Sequence, residues 1–352
     1  MRRLCASVLA LLFTSGVAAA GDLSVFTVGT ATAARGQKAF GVIEVPAGVD
    51  AGTRIAVAVV HGASSGPVLA VVSGAHGTEY ASIVAASKLV QKLDAAEISG
   101  TVILIPLVNA ASFEQKVPRV NPVDGKDMNR FYPGRADGSQ TERASFLITR
   151  EVVEKCDYLI DLHGGDLDED LRPYSTWTKT GNAELDARSR EMVIAFGLDH
   201  IIVSTDRPKD PAASRYLENT ASTRGKPSIT AEAGRAGTAE PEYAALLVDG
   251  CLSVMQQLKM LAGPPMPVDR PVWIAAMKTV VSDETGLFFP LVGRGDSVEK
   301  GTKIGYVTDF FGRTIFEARA PAAGVVLSFC SAPSMRKGDP IASIGVVASS
   351  SP

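Results

Sequence analysis

The chain has 352 residues, of which 46% are hydrophobic and 21% are charged, and its formal net charge is -3. This balance excludes an intrinsically disordered chain, and the length suffices for one large domain plus a smaller one. With an aromatic share of 6% and no basic stripe with interleaved aromatic residues, the sequence also argues against a nucleic-acid-binding protein.

The N-terminal residues have the pattern of a secretory signal. Arg2 and Arg3 are followed by an apolar stretch at 4–17 and by small residues at 18–20. The stretch is too short for a comfortable transmembrane span, so the pattern predicts a signal peptide over residues 1–20. We expect a periplasmic or secreted mature protein without a stable membrane span, and an uncleaved anchor is the alternative.

Residues 21–262 alternate between strand and helix patterns. An apolar run at 67–72 predicts a strand buried on both faces, residues 80–93 follow helical spacing, and 100–106 form the next strand. This βαβ unit predicts an α/β fold, with a mixed, mostly parallel sheet flanked by helices. Further strands are predicted at 158–162 and 227–232, and further helices at 141–153, 183–196 and 243–261.

The C-terminal region has a different sequence pattern from residues 21–262. Residues 263–267 form a Gly- and Pro-rich linker, and beyond it short β runs alternate with Gly and Asp. Such dense turn signals without a helical stretch predict a small all-β module over residues 268–352.

Two of the four histidines lie where a metal-dependent hydrolase would need them. His76 and Glu79 form an H-x-x-E pair directly after the strand at 67–72, and His163 ends the strand at 158–162. Two His and one carboxylate leave a zinc ion an open position for water, as in catalytic sites. We therefore predict one Zn²⁺ bound by these three residues, although manganese and cobalt would fit the same ligands.

The sequence leaves other interpretations of the histidines open. His76 and His163 could be ordinary loop histidines, but carboxyl ends of parallel strands meet at one edge of a sheet, where ligands bind. His61 and His200 have no partners at useful spacing, so we expect them to be plain surface or core residues.

Glu232 is the candidate general base. It ends the predicted strand at 227–232 and precedes a flexible Ala-Gly-Arg-Ala-Gly segment. A carboxylate near metal-bound water can take its proton and pass it to the leaving amine. A salt bridge from Glu232 to Arg235 or Arg224 is the alternative.

An irregular segment at 109–133 supplies candidate substrate-binding residues. Asn129, Arg130 and, upstream, Arg119 lie in it, and an arginine fork pairs with a carboxylate in a bidentate, charge-assisted manner. Solvated loop arginines are the alternative.

Asp161 precedes His163 by two residues and should face the same side of the strand. There it could accept a hydrogen bond from the imidazole N–H of His163, or it could cap the strand end.

The cysteine pattern predicts neither a disulfide framework nor a thiolate metal site. Without Cys5, an odd number remains (Cys156, Cys251 and Cys330) and no C-x-x-C spacing occurs. We expect buried small hydrophobic residues, and at most one disulfide could form.

Four motifs together resemble the succinylglutamate desuccinylase/aspartoacylase family, which belongs with the zinc carboxypeptidases. They are GAHGTE at 74–79, PVDGKDMNR at 122–130, DLH at 161–163 and TAEAG at 230–234. The resemblance implies a zinc-carboxypeptidase-like fold for the catalytic domain at 21–262. It implies His76, Glu79 and His163 as zinc ligands, Glu232 as general base, and Asn129 with Arg130 as the holders of a substrate carboxylate.

Arg119 would match the upstream arginine of the family, at a different spacing from Asn129. The C-terminal module looks like the barrel-sandwich hybrid of biotinyl and lipoyl carrier domains. The comparable turn at 308–313 has no lysine, so we expect an accessory role, at the active-site mouth or in homo-oligomerisation, rather than cofactor attachment.

These observations predict a zinc-dependent hydrolase that cleaves the amide of an N-acylated amino acid or a similar small molecule. An exported carboxypeptidase or amidase that acts on peptides or cell-wall fragments would use the same chemistry. A non-catalytic metal- or solute-binding protein is the alternative from another class.

Overall fold

The computed structural model of the protein describes residues 24–351. The predicted signal peptide at 1–20 lies outside the described residues. Within that part of the chain, no helix is both long enough and apolar enough to span a membrane.

Residues 24–351 contain six α-helices. In chain order they are α1 (Tyr80–Lys92), α2 (Ala110–Gln115), α3 (Gln140–Ile148), α4 (Ala183–Phe196), α5 (Leu217–Ser222) and α6 (Pro241–Gln257). Short 3-10 turns occur at Ala95–Glu97, Met128–Arg130 and Pro211–Ala213, and a π-helical turn at Thr149–Val153 continues α3. The predicted helices at 80–93, 141–153, 183–196 and 243–261 are thus present with slightly shifted ends.

The strands fall into two groups along the chain. The first group is β1 (Val25–Val28), β2 (Ala31–Ala34), β3 (Gln37–Val45), β4 (Thr53–His61), β5 (Ser64–Ser73), β6 (Ser99–Ile105), β7 (Val120–Asn121), β8 (Lys126–Asp127), β9 (Tyr158–His163), β10 (Glu169–Leu171), β11 (Tyr174–Thr178), β12 (His200–Ser204) and β13 (Ser228–Glu232). The second is β14 (Val272–Val281), β15 (Gly286–Pro290), β16 (Ser297–Val298), β17 (Lys303–Thr308), β18 (Thr314–Arg319), β19 (Gly324–Cys330), β20 (Ser334–Met335) and β21 (Pro340–Val347).

One large mixed sheet organises the molecule. Its strand order is β10-β19-β21-β14-β12-β11-β13-β9-β5-β6-β4-β3. The run β13-β9-β5-β6 is parallel, as the βαβ pattern predicted, whereas β4, β3 and the β11–β13 pair are antiparallel. The parallel run matters for function because it brings the carboxyl ends of β5, β9 and β13 to one edge.

The central strands of the sheet are buried on both faces. Apolar side chains of α1, α4 and α6 pack on one face, and those of α3, α5 and the β1–β2 hairpin pack on the other. Strands β5 and β6 are accordingly almost fully apolar where they are buried, because neither face meets water. This three-layer arrangement confirms the predicted α/β fold class.

The C-terminal β region is continuous with the large sheet. Strand β14 pairs with β12 through residues 272–274 and then with β21 over most of its remaining length. Strands β15, β17, β18 and β20 form a separate four-stranded sheet with its own small core. One strand, β14, therefore belongs to the sheet of the catalytic domain and to the β module at once.

Candidate metal centre and its cleft

The loop after β5 positions the H-x-x-E pair. Gly74 adopts a left-handed φ of 71°, which glycine tolerates at little cost and which turns the chain at the strand end. At Gly77 a Cβ atom would lie 2.2 Å from the backbone nitrogen of Phe113, so a larger residue does not fit. Helix α1 then begins at Tyr80, directly after Glu79. The Glu79 side chain makes no capping bond to this helix and is free to face the histidines.

His76, Glu79 and His163 converge around one point. The Glu79 carboxylate oxygens lie 2.6 Å from His76 Nδ1 and 3.0 Å from His163 Nδ1. One candidate ligand atom from each residue falls within 4.8 Å of the others. The sequence expectation that these three residues meet at the sheet edge agrees with this placement.

The opposite nitrogen of each imidazole meets an acidic residue. His76 Nε2 is hydrogen-bonded to Asp127 Oδ1 at 3.1 Å. Asp161 Oδ2 lies 3.2 Å from His163 Nε2, in an ion-pair contact without aligned hydrogen-bond geometry, and both Asp161 oxygens are buried without a hydrogen-bond donor. Carboxylates at this position fix the orientation of a ligand histidine and raise its basicity.

Charge at the centre favours a bound cation. Burial by itself would lower the pKa of His76, but Glu79 and the hydrogen bond to Asp127 raise that pKa to about 10. For His163 the effect of burial is likewise outweighed, and Asp161 and Glu79 hold its pKa well above the usual value. The two histidines in turn hold the pKa of Glu79 well below its usual value, against its burial. The carboxylates therefore stabilise positive charge here, whether it is carried by protons or by a metal ion.

The donor set fits a divalent transition metal. Two imidazole Nδ1 atoms and one carboxylate face the same point, which is a ligand set of catalytic zinc sites. The Asp161 carboxylate, buried beside His163, adds negative charge next to this donor set. His61 and His200, by contrast, are buried among other elements, with Thr101 and Asp199 as their partners.

Glu232 lies on the strand next to His163. The two residues are register partners in the parallel pair β13–β9. Glu232 accepts a hydrogen bond from the Tyr174 hydroxyl, and removal from water raises its pKa, which makes the carboxylate a stronger base. Arg235 is 3.9 Å from both Asp170 and Glu240.

Asn129 is held inside the framework of the centre. Its Nδ2 lies 3.3 Å from His163 Nε2, and its Oδ1 accepts the backbone N–H of Leu217 at 3.0 Å. Both polar atoms of the amide thus already have neighbours in the protein. Contact of Asn129 with a substrate carboxylate stays a prediction.

The two predicted arginines both line the cleft but differ in their partners. Arg119 forms a two-pronged ion pair with Asp168, at 3.2 and 2.5 Å. Arg130 donates to the backbone oxygen of Asn129, lies 3.6 Å from Asp127, and is about half exposed. The Arg130 side chain is therefore more exposed to the cleft, and less tightly ion-paired, than that of Arg119.

A cleft of about 680 Å³ opens over the centre, within the size range of small-molecule sites. Its wall contains side chains that the sequence analysis missed, namely Glu169, Tyr174, Arg207 and Tyr216, and residues 275–279 of β14. Burial and, after it, the nearby Glu232 raise the pKa of Glu169 to about 7, although Ser328 of the β module donates a hydrogen bond to it. These residues come from segments without a recognisable motif, so only the three-dimensional arrangement identifies them.

Fold and site together define a class: an α/β protein with a candidate His-Glu-His metal centre at the carboxyl edge of its parallel strands. Residues 65–258 match the succinylglutamate desuccinylase/aspartoacylase catalytic domain. The chain is also 31% identical, over 81% of its length and 84% of the relative, to the N-alpha-acetyl-L-2,4-diaminobutyric acid deacetylase of Halomonas elongata. The chain belongs to the succinylglutamate desuccinylase/aspartoacylase family.

Solved structures have a similar fold. The product-bound ectoine utilization protein EutE (DoeB) of Ruegeria pomeroyi superposes with a TM-score of 0.78 and 26% identity, covering 88% of this chain and 95% of that one. A succinylglutamate desuccinylase/aspartoacylase from Rhodobacter sphaeroides gives a TM-score of 0.79 at 24% identity, covering 89% and 96% of the two chains. The second similarity concerns the fold alone.

Proposed function

We propose that this protein is a zinc-dependent deacylase that hydrolyses the amide bond of an N-acylated amino acid. The observation that supports this most strongly is the convergence of His76 Nδ1 and His163 Nδ1 on the Glu79 carboxylate, with Glu232 on the strand beside His163. The deacetylase activity named for the Halomonas elongata relative favours an N-acetyl amino acid as the substrate class.

In this proposal His76, Glu79 and His163 hold the metal ion. When bound, the ion would polarise the scissile carbonyl and acidify a water molecule. Glu232 takes a proton from the attacking water and delivers it to the leaving amine. The Tyr174 hydroxyl orients the Glu232 carboxylate, and Arg130, open to the cleft, anchors a carboxylate of the substrate together with Asn129.

The test is hydrolysis by the mature protein of a mixed panel of N-acyl amino acids and short peptides, followed by mass spectrometry, with and without a chelator. Chelator-sensitive release of the acyl group from amino acids is the expected result. Cleavage of peptides alone would replace the deacylase proposal with a carboxypeptidase, and turnover of neither class would favour a binding protein.

We also propose that the protein is exported. The support is the sequence pattern alone: two arginines at positions 2 and 3, the apolar stretch at 4–17, and small residues at 18–20. N-terminal sequencing of the protein from fractionated cells should show a chain that begins near residue 21 outside the cytoplasm. A full-length cytoplasmic chain would contradict export.

A further inference from the structure

Three arginines line the cleft, and they differ in what neutralises them. Arg119 is ion-paired with Asp168, and Arg130 lies near Asp127. Arg207 lines the same cleft and has no carboxylate within ion-pair distance among residues 24–351, although its charge acts on the buried Glu218. An arginine that faces a cleft without a carboxylate partner is available to an anionic ligand.

The Arg207 guanidinium is held in one orientation by an aromatic ring. Its central carbon lies 3.6 Å from the centroid of the Tyr216 ring, and Arg130 packs against the same ring at 4.8 Å. Stacking of this kind restrains the planar group and leaves its edges for hydrogen bonding. Arg207 is thus oriented before a ligand arrives, which reduces the entropy lost on binding.

The acidic residues close to Arg207 accept hydrogen bonds from hydroxyl groups of other residues. Asp206 accepts a hydrogen bond from the Ser204 hydroxyl. The buried Glu218 carboxyl, on which the Arg207 charge acts, accepts hydrogen bonds from the hydroxyls of Thr178 and Ser228. Arg207 Nε is buried and has no hydrogen-bond partner.

An unpartnered Nε is not sufficient by itself to mark a binding site. Arg190 also packs on an aromatic ring, that of Trp273, and its Nε is likewise buried without a partner. Arg190 lies on α4, away from the cleft, whereas Arg207 lines both the cleft and an adjoining pocket of about 250 Å³. The position of Arg207 between these two spaces is what distinguishes it.

We propose that Arg207, which shares the Tyr216 ring with Arg130, is a further ligand of the substrate α-carboxylate and so selects N-acyl amino acids over the corresponding amides. This inference rests on the proposed deacylase function for the identity of the ligand. The guanidinium edge would form charge-assisted hydrogen bonds to both carboxylate oxygens, a pairing that a neutral carboxamide cannot reproduce. Arg207 is thereby a specificity-determining residue.

The test measures binding rather than turnover. The zinc-loaded protein is titrated calorimetrically with a panel of N-methanesulfonyl amino acids, which resist hydrolysis, and with the matching carboxamides. Because charge-assisted hydrogen bonds are the stronger ones, we expect the acids to bind about 10- to 100-fold more tightly than the amides. Arg207→Gln should remove most of this preference, and Arg207→Lys should restore part of it.

Arg190→Gln is the matched control, since it removes a ring-packed arginine outside the cleft, and it should keep the preference for acids. Thermal unfolding of each variant verifies that it is folded. A wild-type protein without any preference for acids, or an Arg207→Gln protein that retains it, would overturn the proposal. If the preference depends on Arg207 but no N-acyl amino acid is hydrolysed, the deacylase proposal fails while the carboxylate site stands.

Discussion

Glu79 Oε2 lies 3.0 Å from His163 Nδ1, although the two residues are separated by 84 positions in the chain. Glu79 follows β5 and His163 ends β9, and these neighbouring parallel strands bring the two side chains together. The Glu79 carboxylate also contacts His76 Nδ1, so one side chain joins both histidines.

His76→Ala should sharply reduce metal binding, because it removes one of three converging donors. Metal content per chain, measured by elemental analysis after dialysis against limiting zinc, gives the readout. His200→Gln is the control, since His200 also pairs with an aspartate, Asp199, but on a strand outside the centre. Equal zinc content in His76→Ala and in the wild type would contradict the ligand assignment.

Glu232→Gln should lower kcat by about 10² to 10⁴-fold, the range typical of a lost general base. The amide keeps the size of the side chain but cannot accept the proton of water. Zinc content should stay at the wild-type level because Glu232 is not one of the converging donors. Stopped-time assays and elemental analysis on the same sample check both points, and retained activity would sink the assigned role.

Asp127→Asn should weaken zinc affinity by about 10- to 100-fold while the site remains assembled. Asp127 accepts a hydrogen bond from His76 Nε2, and loss of its negative charge makes the imidazole a poorer donor to the metal. Competition with a chromophoric chelator measures the dissociation constant. An unchanged constant would show that the Asp127–His76 contact has no influence on the metal.

The sequence predicted the centre because its three residues follow strand ends, and the geometry of parallel strands brings such ends together. It did not predict Asp127 as the partner of His76, because Asp127 lies in an irregular segment whose path depends on tertiary packing. Arg207 and Tyr216 were missed for the same reason. Their stacking joins a loop to the residue that precedes α5, and no periodicity records such a contact.

For the C-terminal β region, the sequence predicted the local structure but not the long-range strand pairing. The sequence predicted a linker at residues 263–267 and short β runs after it, and strands β14 to β21 lie beyond that segment. Pairing of β14 with β12 is a long-range event that a linker-like composition conceals. As a result, residues 275–279 in the cleft wall could be located only from the structure.

Glu169→Gln should make the folded state less sensitive to pH between 4.5 and 7. Burial and the Glu232 charge raise the pKa of Glu169 from 4.5 to about 7, so in this window the folded protein binds more protons than the unfolded chain. The contribution of Glu169 to the free energy of unfolding therefore falls as pH rises through the window, and the variant should lack this contribution, ~1–3 kcal/mol.

Denaturant unfolding after chelation of metal ions, at pH 4.5 and pH 7.5, checks this linkage. Glu317→Gln is a suitable control because Glu317 is a surface carboxylate paired with Lys303 in the β module. Parallel pH dependence of the wild type and Glu169→Gln would show that Glu169 ionises normally in the folded protein.

Zinc-dependent hydrolysis is tested most directly by a titration of metal-free protein with zinc, in which bound metal and hydrolysis of an N-acetyl amino acid are followed together. If His76, Glu79 and His163 hold the catalytic ion, activity rises in proportion to bound zinc and reaches its plateau at one ion per chain. Full activity in the chelated protein, or activity unrelated to bound metal, would contradict zinc-dependent hydrolysis.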